Sequence, residues 1–279
     1  MPPDLPAEVA PAPPEGAPEL ATAEVPTVPA LGDGPAPVEE LFARLRDQVP
    51  APAPEATPSA APAAPADDAV DEGALARRDE LLDPLDADLT RSLKRILQDE
   101  QNDVLERVGQ GGRAAVAASV LGALDQQATE FTAAAAPVLV AAYRAGGGRG
   151  DDTIGLTLGR KLAGDLAPPF RERLERVVAG VGDDLEELAE AVRAAYRHAK
   201  LQEIEQVVRH HTAAAHALGA FASAATGSLL RWVADDEGPC PDCHDNTLAG
   251  PTPKGDPFPT GQDHPPAHPG CRCLLVPVI

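Results

Sequence analysis

The sequence predicts a mainly α-helical protein: an antiparallel helical bundle with a small C-terminal β-rich Cys/His module and a disordered N-terminal tail. Three observations lead there. Apolar residues recur at steps of three and four over most of residues 76–225, the period of an amphipathic helix. All four cysteines lie in the last forty residues, and 17 of the 31 prolines precede residue 66. Aromatic residues make up only 3% of the chain, so Ala, Leu and Val must do the packing. That suits close helices better than a sandwich or barrel, which draw on β-branched and aromatic side chains.

Residues 1–75 form the tail. They hold fourteen carboxylates against Arg44 and Arg46, twelve of the 21 net negative charges, and few large apolar groups to offset the entropy of ordering. One island interrupts them. Over residues 37–46, Val38, Leu41, Phe42 and Leu45 fall at i, i+3, i+4 and i+7 between Pro37 and Pro50, one apolar stripe suited to docking.

The helical domain spans 76–225. Leu82, Leu85, Leu89, Leu93, Ile96 and Leu97 open it and Val104 and Val108 continue it, with Asp83-Pro84 read as cap and first helical residue and Gly111-Gly112 as the stop. A second helix covers about 114–144, with Val116, Val120, Leu124, Phe131, Ala135 and Val138 on one face. The glycines of 146–150 read as a flexible link. A third starts near Asp152, is broken at Pro168-Pro169, and restarts to carry Phe170, Leu174, Val177 and Val178. Gly182-Asp183-Asp184 opens the longest, through Leu185, Leu188, Val192, Ala195, Ile204 and Val208 to about Ala224. Short glycine connections make neighbours antiparallel, and the heptad-like spacing leaves room for a homo-oligomeric coiled coil.

Residues 226–279 change texture. Leu229–Val233 and Leu274–Val278 read as short strands with Pro-, Gly- and Asp-rich turns between them. So short a segment needs a staple. Cys240-Pro-Asp-Cys243 presents two thiols in one turn, and His268 with Cys271 offers a second pair at three-residue spacing. The ligand set this favours for a structural zinc ion is Cys240, Cys243, His268 and Cys271, with Cys273 and His264 as alternates. On a strand, Cys273 would point away from Cys271. A disulfide or free thiols remain the other readings of the same cysteines.

At these residues a family resemblance appears. Arg231-Trp232, Asp235, Cys240-Pro-Asp-Cys243, Leu248-Ala-Gly250, Phe258, Pro265-Pro266-Ala-His268-Pro-Gly-Cys271-Arg-Cys273 and Pro277 together resemble the C-terminal domain of Mu F-like phage head morphogenesis proteins. The likeness extends weakly back to Arg197, Lys200, Ile204 and Gly219 and covers less than a third of the chain. Where that family carries a Thr-Glu pair in the long helix, this chain has His210-His211-Thr212. The resemblance implies a minor, portal-associated structural protein with portal or capsid partners and no catalytic role, phage-encoded or prophage-derived.

Other classes compete. A bacterial coiled-coil scaffold or adaptor of the cell-division type fits the acidic tail and the helices. A hydrolase or toxin would use Cys271 as nucleophile and His268 as base. The net charge of −21 argues against direct nucleic-acid binding, since even 226–279 set seven carboxylates against Arg231, Lys254 and Arg272. The longest apolar run, Ala133 to Tyr143, is half a membrane span, so no membrane is expected and the location is cytoplasmic, or the virion if phage-encoded. His198, His210, His211 and His216 read as solvated helix-face residues, Asp235-Asp236-Glu237 as a solvated turn, and Trp232 as the core of its module.

Overall fold

The computed structural model describes residues 68–122, 124–182, 184–235 and 240–278. The stripe at Val38–Leu45 and the rest of 1–67 lie outside them. The described chain is mainly α, with a small antiparallel sheet near the C-terminus. Its elements are α1 (Asp68–Gly122), α2 (Leu124–Ala145), α3 (Asp152–Gly180), α4 (Leu185–His198), a π-helical turn (Ala199–Glu203), α5 (Ile204–Ser223), β1 (Leu229–Val233), α6 (Pro241–Leu248), β2 (Thr252–Pro253) and β3 (Leu274–Pro277). No helix among the described residues is long and apolar enough to cross a membrane.

The stripes predicted from the periodicity build one core, except that Leu124 and Leu185 are exposed. Leu82, Leu89, Leu93, Leu97, Val104 and Val108 of α1 are buried with Phe131, Leu139, Leu162, Phe170, Leu174, Leu188, Val192, Ile204 and Val208. The side chains of Val116 and Val120 lie outside the described set. Glycines set the closest crossings and show their sense. A Cβ on Gly155 would meet the Ala136 carbonyl and one on Gly159 the Thr132 carbonyl, so α2 and α3 run antiparallel. A Cβ on Gly146 would come 2.0 Å from the His216 carbonyl oxygen, and one on Gly219 2.0 Å from that of Tyr143, which makes α2 and α5 antiparallel too.

Several local expectations are corrected. Pro84 does not start a helix; it lies inside α1, which begins at Asp68. The extra turns are held by tertiary contacts: Ala74 and Leu75 bury against Val233 and Leu274, and Asp71 pairs with Arg231. Those contacts outweigh the hydrogen bond that proline removes. Pro168 and Pro169 likewise sit inside a continuous α3. Leu162, Leu166, Phe170 and Leu174 are all buried on both sides of the pair, and their packing keeps the axis whole. Gly112, at φ 66°, does break α1 as expected. The 146–150 glycines are a packed turn, with a Cβ at Gly148 or Gly150 falling on the Tyr143 ring and Arg144 donating to the Gly150 carbonyl at 2.7 and 2.9 Å.

In the module β1 is central, in the order β2-β1-β3, and both pairings are antiparallel. Trp232 is fully buried and packs edge-on against Phe258 at 5.1 Å, as its core reading requires. The segment read as turns between the strands contains α6 and β2. Cys240 caps α6 and Pro241 takes its first position, where a missing N–H costs nothing.

Candidate metal centre

Three pieces of chain bring the donors together. The start of α6 supplies Cys240 and Cys243, the turn after Pro265-Pro266 supplies His268, and the approach to β3 supplies Cys271 and Cys273. Two groups of donors have all atoms within 4.8 Å of one another: Cys240, Cys243 and His268, and Cys243, Cys271 and Cys273. Cys243 belongs to both. These residues could hold a metal ion.

The distances fit one. Thiolates on a tetrahedral zinc ion stand roughly 3.8 Å apart, given Zn–S near 2.3 Å. Cys243 Sγ lies 3.7 Å from Cys271 Sγ and 3.3 Å from His268 Nε2. His268 Nδ1 hydrogen-bonds the Pro269 carbonyl at 2.9 Å, which fixes the tautomer that leaves Nε2 free to ligate. Cys240 Sγ accepts the Cys243 N–H at 3.4 Å, the contact that makes a C-x-x-C turn converge. Cys243, Cys271 and Cys273 are 2–5% exposed, with no disulfide among the four cysteines.

Cys273 departs from expectation. Residues 271–273 precede β3 and are not extended strand, so Cys273 does not turn away; it joins Cys271 and Cys243. A hydrogen bond from Cys273 holds the Cys271 thiol down to about 5, burial pushes Cys243 up to about 12, and Cys273 is itself raised by its bond to Cys271. Among the described residues the buried Trp232 Nε1–H has no partner at hydrogen-bond distance, and it sits beside the Cys273 sulfur. An orphaned donor there suits a thiolate-rich centre. His264 is not brought in. It bonds the Pro265 carbonyl and lies against Phe221, ring centroids 5.2 Å apart. The imidazole contact of His268 is to Cys243, whereas a nucleophilic dyad would need Cys271.

Around the sulfurs is a charged belt that sequence reasoning missed. Arg78 of α1, only 3% exposed, donates to the Arg272 carbonyl between Cys271 and Cys273, and also to Asp79 and Asp235. Arg272 itself pairs with Asp79 and Asp235. Asp235 is therefore a half-buried ion-pair partner and not a solvated turn residue; Asp236 and Glu237 lie outside the described residues. The histidines of α5 are corrected as well. His211 is buried with Nε2 3.0 Å from Asp165, and His216 is 7% exposed. His210, half-buried, accepts the Gly270 N–H at 3.3 Å. A buried polar residue in an alanine-rich helix leaves no trace in hydrophobic periodicity, so only the packing could reveal them.

No protein-family model, curated protein or solved structure matches the chain.

Proposed function

We propose that this chain is a non-enzymatic assembly protein of the kind the Mu F-like minor head proteins represent, its C-terminal module closed by one structural zinc ion. The observation that carries the metal is that Cys240, His268 and Cys271 each bring a donor atom within 4.8 Å of the buried Cys243 sulfur, His268 at 3.3 Å and Cys271 at 3.7 Å. These four are the ligands. Cys273 donates to the Cys271 sulfur from the next layer out, with Trp232 behind it. The centre is wrapped by α6, β1, β3 and the belt on α1, which suits folding energy better than turnover.

The head-assembly part rests on the His268-Pro-Gly-Cys271-Arg-Cys273 element and its neighbours, with portal or capsid protein as partner. Gene neighbourhood tests it. Portal, terminase and capsid genes alongside are expected; a setting of cell-division genes with no phage gene would replace this reading with that of a bacterial scaffold. For the metal, Cys243→Ser should lose zinc outright, because its sulfur serves both donor groups. Retention of a full zinc equivalent by that variant would overturn the ligand assignment.

A further inference from the structure

Among the described residues no strand pairs with the outer edge of β3. Val278 N–H bonds the Leu229 carbonyl at 2.9 Å, and Arg231 pairs with Val276 and Val233 with Leu274. In an antiparallel ladder alternate residues face the partner strand, so Leu275 and Pro277 turn their main-chain groups to the outer edge. Pro277 has no N–H, which leaves the Leu275 amide as the donor on this stretch. Leu275 is 3% exposed, and the register leaves its N–H and carbonyl without a strand partner among the described residues. Buried orphan amides are rare in folded proteins.

A cleft of about 540 Å³ opens along that edge, between β3, the start of α1 and the last turns of α2 and α5. A second orphan lines it. His216 is 7% exposed and its Nδ1 has no partner. The cleft also differs in charge from the chain around it. In a protein of net charge −21 no carboxylate lines it and its charged side chains are Arg77 and Arg78; His216, held low by burial, adds no charge near neutral pH. Arg78 is taken up by Asp79 and Asp235, but the exposed Arg77 forms no ion pair among the described residues. The remaining lining is apolar, including Leu81, Ala220 and Ala224.

We propose that this cleft is a docking site for an extended acidic segment of a partner protein, which adds beside β3 as a fourth strand. One of its residues exchanges both main-chain hydrogen bonds with Leu275, a carboxylate reaches Arg77, and a polar atom satisfies His216. Strand addition draws its affinity from the main chain and its selectivity from such side-chain contacts. The site does not depend on the zinc reading, since none of its lining residues is a proposed ligand.

The test is a selection of random decapeptides on the full chain, followed by synthesis of the enriched sequences. Enriched peptides should be acidic. Their affinity should drop about tenfold or more when alternate backbone nitrogens are methylated, and by a similar factor on Arg77→Glu, the loss of a charge-assisted contact. His216→Phe should weaken them about three- to tenfold, and exchange of the Leu275 amide should slow when peptide is added. Arg77 is exposed, so its variant should melt with the parent and report binding alone. The proposal is overturned if no peptide is enriched, if enriched peptides ignore Arg77→Glu and backbone methylation, or if the Leu275 amide is already protected in the free chain and unchanged by peptide.

Discussion

Burial and the neighbouring Arg78 guanidinium push the His216 imidazole down to about 4, from 6.5 in an unfolded chain. The unfolded state then takes up the proton first. The stability linked to His216 is present above about pH 6.5 and is lost as pH falls through 4, by up to about 3 kcal/mol. Denaturant titrations between pH 7 and 4 should show this slope, and His216→Phe should flatten it; an unchanged slope would place the titration elsewhere. Among the thiols, Cys273→Ser should keep zinc with weakened affinity, because a hydroxyl still donates to Cys271, whereas Cys271→Ser should lose it. A colorimetric zinc assay under a chelator gradient separates the two. The cysteines and His268 were legible from spacing alone. The position of Cys273 was not, since it depends on the backbone leaving extended geometry before β3.

Elements show where local signals gave way to packing. The first turns of α1 precede Pro84 yet stay helical, because Ala74, Leu75, Asp71 and Arg78 are engaged by β1, β3 and Arg272. The same holds for Pro168 and Pro169 in α3. Proline is a reliable stop only where nothing outside the helix contributes, and a sequence does not show what lies outside. The apolar stripes were readable because they repeat; the polar centre between α1, α2 and α3 was not. There Arg171, 3% exposed, meets Glu100 and Gln127, while burial raises the Glu100 pKa. Arg171→Leu should cost about 3–5 kcal/mol by leaving Glu100 buried without its cation, and Glu100→Leu added to it should recover much of that. Gly219→Ala places a methyl 2.0 Å from the Tyr143 carbonyl oxygen and should cost about 1–3 kcal/mol as α5 is forced off α2. Urea melts read both.

At the scale of the molecule, the helical body and the Cys/His module are tied by a charged belt, in which Arg78 reaches the chain between two cysteines, alongside the Asp71–Arg231 pair and the packing of Ala74 and Leu75 on Val233 and Leu274. The fold class, the stripes that fill the core and the strands β1 and β3 of the module followed from periodicity and composition. The joint between the two parts did not, because residues 78, 79, 235 and 272 are far apart in sequence and carry no motif. Through that joint, emptying the centre should loosen the start of α1 as well as the module. Trypsin cutting after Arg77 or Arg78 in the chelated chain would show it, and protection equal to the metal-loaded chain would contradict it. Native mass spectrometry of the full chain decides whether the metal is bound. One zinc ion per chain is expected, with a lower melting temperature once it is stripped. An apo mass with four free thiols, and a melt that a strong chelator leaves unchanged, would contradict it.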